Sequence, residues 1–405
     1  MNNQKKYAPF PAIKFNERTW PTKRLTQAPQ WCSVDLRDGN QALINPLTLE
    51  QKCLLFDELV KMGFKEIEVG FPSAADIEYQ FVRRLIEENR IPDDVSIQVL
   101  TQARKEQIDR TLQCVNVAKN VIVHLYNATS IAQRKLVFNT DVSGVSQIAT
   151  QGITWIKDAI KKHIGTKTNI QLQYSPESFT GTECEAALEV CSQVIKQWGG
   201  LDPIIINLPA TVELCMPNQY ADMIEWMSNK LPERERLIIS VHTHNDRGTG
   251  LAASELGLLA GASRVEGTLF GNGERTGNVD LITMALNLYT QGIDPKLDIY
   301  HIDAIARLME SLTEIPTHAR HPYAGELVFT AFSGSHQDAI NKGFSYYKEH
   351  PKELWDVPYL PIDPNDLNRS YKAMIRINSQ SGKGGVAYIL DQIYNCQLPK
   401  EMHPE

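Results

Sequence analysis

The chain has few cysteines, and none falls into a metal-binding or disulfide pattern. The seven are Cys32, Cys53, Cys114, Cys184, Cys191, Cys215 and Cys396; the number is odd, no CxxC pair occurs, and several sit within apolar runs. That argues against a zinc ribbon or a disulfide framework and predicts reduced thiols in a cytosolic setting. The N-terminus, MNNQKKYAPFPAIKF, lacks the apolar core of a signal peptide. No apolar run approaches the ~18 residues that a membrane span needs. A basic surplus is missing as well. The formal net charge is −7, and the densest basic patch, Arg83-Arg84, is followed at once by Glu87-Glu88. The expectation is a cytoplasmic protein with neither nucleic acid nor a membrane as partner.

At 405 residues, 42% hydrophobic and 22% charged, the chain can bury a full core and keep residues for a smaller second domain. Residues 1–29 are polar and proline-bearing without a clear period, which predicts an extended arm. A regular alternation then begins. Short apolar, β-branched runs occur at WCSVDL (31–36), EIEVGF (66–71), SIQVLT (96–101) and NVIVHLY (120–126). Four more follow at IQLQYS (170–175), PIIINLP (203–209), LIISVHTH (237–244) and RVEGTLFG (264–271). Between them lie segments of helical spacing such as PLTLEQKCLLFDELVKMG, with a proline near its start and Gly63 as a stop. Eight such units predict a parallel sheet buried on both faces and closed as an α/β (β/α)8 TIM barrel over residues 30–300. The competing architecture is an open doubly wound sheet, but no GxGxxG follows the first strand.

Residues 301–405 change character and predict small α+β or helical linker subdomains. IDAIARLMESLTEI is helical, HPYAGELVFTAFSGSHQDAINKG mixes loop and helix, and DVPYLPIDPNDL reads as a linker. The glycine cluster in SGKGG is not a phosphate loop, because Ile377 stands five residues before the Gly-Lys pair where that loop needs glycine.

Barrel enzymes place their chemistry at the C-terminal ends of strands. Strand one runs into Arg37-Asp38-Gly39-Asn40-Gln41, strand seven into His242-Thr243-His244-Asn245-Asp246, and strand eight into Gly271 through Asn278 as GNGERTGN. Residues i and i+2 of a strand point the same way, so His242 and His244 present two imidazoles to one point. Barrel closure sets strand eight between strands seven and one, which brings Asp38 and Asn278 alongside. Two imidazoles with two or more oxygens suit a catalytic divalent ion. The oxygens favour Mg2+ or Mn2+, and the imidazoles also admit Zn2+. An HxH pair alone is more often two hydrogen-bonded polar residues; Asp38 and the Asn278 loop on adjacent strands tip the reading towards metal.

Other strand ends add candidates. Arg37 can supply a fixed cation to an oxyanion, or else a structural ion pair to a barrel acid such as Glu68. Glu177 could orient substrate or pass protons. Leu100, His124, Ser175, Pro209 and Thr211 end strands three to six and could wall a small, partly apolar pocket, although any one alone reads as packing. His336 and Tyr359 lie beyond the barrel, where each taken singly reads as structural.

These segments resemble the signatures of the 2-isopropylmalate synthases, which belong to the metal-dependent TIM-barrel lyases and Claisen-condensing enzymes. The strings QYSPES, NLPATVE, EWMS, HPYAGELVFTAFSGSHQDAINKG and RINSQSGKGGVAYI carry the resemblance over nearly the whole chain. They are similar to the longer actinobacterial and fungal branch. The resemblance implies that acetyl-CoA, 3-methyl-2-oxobutanoate and water give 2-isopropylmalate and CoA, the first committed step of leucine biosynthesis. It implies Mg2+ as the metal, chelated by the keto acid, with Arg37 stabilising the developing enolate or alkoxide. By the same resemblance Glu177, His336 and Tyr359 handle protons, the last two reaching the partner subunit's site in a domain-swapped homodimer. Leu100, His124, Ser175, Pro209 and Thr211 match the family's keto-acid pocket.

One departure stands out. Members of this branch continue into a leucine-binding C-terminal domain, whereas this chain stops at Pro404-Glu405; the expectation is a form without that regulatory domain and without leucine inhibition. Homocitrate and citramalate synthases share the same metal kit, and a methylene in an apolar pocket is worth only ~1–3 kcal/mol, so sequence separates them weakly. Retro-aldol lyases, which cleave rather than condense, are a further option. A non-catalytic barrel that binds metal and keto acid is the alternative of a different class; it would need none of Arg37, Glu177, His336 and Tyr359.

Overall fold

The computed structural model describes residues 6, 8–13, 15–331, 333–351 and 353–371. Eight strands form the centre: β1 Gln30–Ser33, β2 Glu66–Gly70, β3 Ser96–Gln102, β4 Asn120–Ala128, β5 Asn169–Glu177, β6 Ile204–Ala210, β7 Leu237–Thr243 and β8 Arg264–Gly267. They pair in sequence order as a closed barrel, with β1 parallel to both β2 and β8. The expected TIM barrel is therefore the observed one. Alternation along each strand divides two environments. Ile97, Val99, Val121, Val123, Ile239 and Val241 are fully or almost fully buried, whereas the intervening positions carry Glu68, Gln98, Gln173, Ser240, Arg264 and Glu266, also fully buried.

That second set meets inside the barrel. Arg264 donates through Nη1 to Ser240 Oγ (2.9 Å) and Glu266 Oε1 (2.8 Å), and through Nη2 to Gln98 Oε1 (2.8 Å). Its Nε meets Glu66. Branched aliphatic side chains usually fill this layer of a TIM barrel. A polar layer survives here because each buried charge has an opposite charge and hydrogen-bond partners.

Helices cover the outside. Leu49–Met62 starts with a reciprocal capping box between Thr48 and Gln51 and stops at Gly63, whose φ of 102° suits glycine. Three further helices, Val142–His163, Pro217–Lys230 and Leu281–Tyr289, were not among the segments picked out by spacing. Val142–His163 buries Ser146, Ala149 and Gly152 among its apolar residues; a Cβ on Gly152 would lie 3.0 Å from Leu125 Cδ2. Pro217–Lys230 buries Asp222 and Glu225, which hold the N-terminal arm. Arg18 Nε and Trp20 Nε1 donate to Asp222 Oδ1 at 2.6 and 3.0 Å, and Lys23 Nζ donates to Glu225 Oε1 at 3.2 Å. Leu281–Tyr289 is buried almost all round and so has no polar face to set a period.

The strands at the site end earlier than their apolar runs. β1 was expected to reach Leu36 but gives way to a π-helical turn, Asp35–Gly39, in which Gly39 N donates to Val34 O at 3.1 Å. β8 stops at Gly267 because residues 278–280 return across it: Thr268 N donates to Val279 O (3.2 Å), and Val279 N to Thr243 O (2.8 Å). A Cβ on Gly267 would lie 2.6 Å from Val279 O, so only glycine admits that crossing.

The chain divides into two compact units, residues 1–289 with 293–297, and residues 290–292 with 298–405. Within the second, helices Ile302–Thr313 and Gly334–Glu349 are the main elements. Arg369 pairs with Asp303 at 3.2 Å and lies over the Phe329 ring. The glycine cluster at 382–385 lies outside the described residues. Among the described residues no helix is long and apolar enough to cross a membrane, and the six cysteines are free thiols.

Candidate active site

Three of the four expected ligands converge at the C-terminal mouth of the barrel. The π-turn carries Asp38 inward, and β7 with its continuation carries His242 and His244. Asp38 Oδ2 lies 3.4 Å from His242 Nε2 and 3.3 Å from His244 Nε2, with all three residues buried. Asn278 is bound to the same corner by an antiparallel bridge with His244; it is buried but does not line the cavity. Its Nδ2 donates to Asn272 O at 3.0 Å, leaving Oδ1 unengaged. The loop that presents it depends on glycine: Gly277 has φ 91°, and a Cβ there would fall 1.8 Å from Gly271 O.

Among the described residues, Asp38 Oδ2, both ring nitrogens of His244 and Asn278 Oδ1 are buried without a hydrogen-bond partner. Unpartnered buried polar atoms are costly, and a cluster of them demands an explanation. A divalent cation supplies one, since carboxylate, imidazole and amide oxygen are all its ligand types. The residues therefore fit a metal. Burial works to raise the Asp38 carboxyl, but the Arg37 guanidinium and the two imidazoles outweigh it and hold the group well below the usual carboxylate range.

Arg37 makes the ion pair to Glu68 that was the structural alternative for it, and it also lines the cavity. Its Nη1 donates to Asp38 Oδ1 at 2.7 Å, and its Nε pairs with Glu68. Beside it opens a cavity of about 230 Å³. Leu100, His124, Ser175, Pro209 and Thr211 all line it, as do Arg37 and Glu177. Strand register explains the grouping, for Leu100 is opposite His124 and Tyr126 opposite Ser175. Glu177 closes β5, and the left-handed Ser178 that follows (φ 59°) donates its N–H to Thr211 Oγ1 at 2.9 Å. Burial raises the Glu177 carboxyl above its ordinary value, opposed in part by Arg37.

In the cavity wall the ring nitrogens of His124 are both engaged. Nδ1 meets Glu68 Oε2 at 2.8 Å and Nε2 meets Ser175 Oγ at 2.7 Å. Glu68, His124 and Glu266 also lie close enough together to hold an ion. Donors from Arg37, Gln98, Arg264 and Gln173 already satisfy those carboxylates, however.

Sequence reading gave no role to Gln41, Tyr126, Asn207, Glu274 or Arg275, which also line the cavity. Tyr126 and Asn207 were visible as polar positions inside apolar runs, and the other three stand within motifs already quoted. His336 and Tyr359 belong to the second unit. There they stack with ring centroids 4.0 Å apart, and both are exposed.

Comparison with known proteins places this site in a family. Residues 28–309 match the HMGL-like family, and residues 326–391 match the family described as alpha-isopropylmalate synthase, post-catalytic domain-like. Proteins named 2-isopropylmalate synthase from Parafrankia sp. and Rhizobium meliloti are 56% and 57% identical over 402 residues, covering 99% of this chain and 71% and 72% of theirs. The one from Pseudomonas entomophila is 57% identical over 404 residues, covering 72% of its length. Among solved structures, a hydroxymethylglutaryl-CoA lyase from Pseudomonas aeruginosa superposes with a TM-score of 0.59 at 20% identity, over 73% of this chain and 97% of that one. A carboxyl transferase domain from Rhizobium etli pyruvate carboxylase gives 0.53 at 13% identity, over 71% and 48%. Those two likenesses concern the fold alone. Identity above one half across almost the entire chain goes further: the chain belongs to the 2-isopropylmalate synthase family.

Proposed function

We propose that the protein condenses acetyl-CoA with 3-methyl-2-oxobutanoate and hydrolyses the thioester, giving 2-isopropylmalate and CoA in the first committed step of leucine biosynthesis. The observation that carries this reading is 54–57% identity, over 99% of the chain, to proteins that all bear the name of that synthase. The cavity supplies the matching chemistry. Asp38, His242, His244 and Asn278 would hold a divalent ion, proposed to be Mg2+, with Mn2+ and Zn2+ as the alternatives these ligand types admit. When bound, that ion supplies Lewis-acid polarisation of the 2-oxo group.

The chain's own residues do the rest. Leu100 and Pro209 offer apolar walls to the branched end of the keto acid, with His124, Ser175 and Thr211 as polar contacts. The Glu177 carboxylate takes a proton from the acetyl methyl, and that carbon forms the new bond to the ketone carbon. Arg37 is fixed by two carboxylates and stabilises the negative oxygen that develops, which becomes the product hydroxyl by taking up a proton in exchange for the one Glu177 removed from the methyl. Water then cleaves the C–S bond, leaving a carboxylate and the CoA thiol. His336 and Tyr359, exposed and stacked, are proposed to complete the site of a second copy in a domain-swapped homodimer, in the cytoplasm.

A thiol-release assay with a panel of 2-oxo acids tests the substrate. The highest kcat/KM is expected with 3-methyl-2-oxobutanoate; a preference for pyruvate or 2-oxoglutarate would favour a citramalate or homocitrate synthase instead. The role of Glu177 predicts a pH dependence. As pH falls through its raised pKa the carboxylate takes up a proton and the base is lost. The acid limb of kcat/KM is therefore expected above the ordinary carboxyl value of 4.5 and is expected to disappear in Glu177→Gln. An acid limb at or below that value, unchanged in the variant, contradicts the assignment.

A further inference from the structure

We infer that Glu266 is the positioning residue that fixes the tautomer of His242 and so aims its Nε2 at the metal; this rests on the metal-site reading of Asp38, His242 and His244. Glu266 on β8 is the register partner of His242 on β7. Its Oε2 lies 2.9 Å from His242 Nδ1, and both residues are buried, Glu266 completely. A carboxylate can only accept, so Nδ1 carries the hydrogen, and when an ion is bound beside Asp38 Oδ2, which lies 3.4 Å from Nε2, Nε2 is the nitrogen left to ligate it.

The other oxygen is spoken for. Oε1 accepts from Arg264 Nη1 (2.8 Å), Gln173 Nε2 (2.7 Å) and Gln98 Nε2 (3.0 Å). Three donors on one oxygen prevent the carboxylate from rotating away, so the polar layer inside the barrel holds the ligand's orientation. Asn207 Nδ2 extends the link, reaching Glu266 Oε2 at 3.3 Å and Ser175 Oγ at 3.0 Å. His244 differs: among the described residues neither of its ring nitrogens has a hydrogen-bond partner.

The convergent donors make Glu266→Gln an informative variant. An amide in that place must turn its oxygen to Arg264, Gln98 and Gln173, which leaves its NH2 facing His242 Nδ1. Nδ1 must then accept, the hydrogen moves to Nε2, and the ligand is blocked. Mn2+ binding to the full chain without substrates, followed by electron paramagnetic resonance, reads this directly. A loss of ~10–100-fold in affinity is expected, the range for removing an outer partner of a metal-bound histidine. Proton spectra of the Mg2+-loaded protein should show an exchange-protected His242 Nδ1–H that vanishes in the variant. Gln173→Met removes a donor from Oε1 but leaves the His242 contact in place, and should keep Mn2+ affinity within about threefold on the same scale. If Glu266→Gln does not fold, Glu266→Asp keeps the charge beside Arg264 but withdraws it from Nδ1, and the same loss is expected. Unchanged Mn2+ affinity in a folded Glu266 variant, or equal losses in that variant and in Gln173→Met, overturns the inference. Failure of the metal-site reading looks different: Asp38→Ala would then bind Mn2+ as the unaltered protein does.

Discussion

Asp38→Ala is expected to reduce CoA release to background and to abolish Mn2+ binding, with the fold retained. Asp38 Oδ2 lies 3.4 and 3.3 Å from the two imidazoles and, among the described residues, is buried without a hydrogen-bond partner, so its removal takes away the carboxylate ligand of the group. Loss of an outer partner costs ~10–100-fold in metal affinity, and loss of a ligand costs more. The fold should survive because the other oxygen contacts only Arg37, which keeps its pair with Glu68. Circular dichroism and the thermal midpoint of metal-free protein check retention of the fold. Catalysis persisting in a folded Asp38→Ala would contradict the assignment.

Arg37→Gln is expected to lower kcat by ~10²–10³, the loss that follows removal of one oxyanion donor, and to destabilise the protein as well. Glu68 is fully buried, and breaking a buried pair costs about 3–5 kcal/mol because one charge is left behind. The low end of that range applies here, since His124 and Gln98 still donate to Glu68. Lysine is expected to restore little. The guanidinium reaches Asp38 through Nη1 and Glu68 through Nε, and a single ammonium cannot span both. Steady-state kinetics beside urea unfolding separates the two effects; a variant that loses stability but keeps kcat would make Arg37 a purely structural ion pair.

The barrel was legible because buried parallel strands read as short apolar runs, and eight of them set a ring. The candidate metal corner was legible because barrel closure makes strands one, seven and eight neighbours, so three separate motifs pointed to one place. Other features left weaker marks. The turn that aims Arg37 and Asp38 looked like the last residues of β1, since no side-chain pattern distinguishes a π-turn from a strand end. Helix Pro217–Lys230 was hidden by Asp222 and Glu225, whose buried charges answer Arg18, Trp20 and Lys23 from a segment some two hundred residues away. The inner polar layer left only isolated letters inside apolar runs, such as Gln98 in SIQVLT and Glu266 in RVEG. The contact between Glu266 and His242 follows from strand register, which an apolar pattern does not fix between parallel strands.

Buried Asp38, His242, His244 and Asn278 are proposed to hold a divalent ion without which the condensation does not run. CoA release from acetyl-CoA with 3-methyl-2-oxobutanoate, followed before and after exhaustive chelation and again after Mg2+ is restored, tests it most directly. The rate is expected to fall to background on chelation and to return with Mg2+; a rate that survives chelation unchanged rules the metal site out.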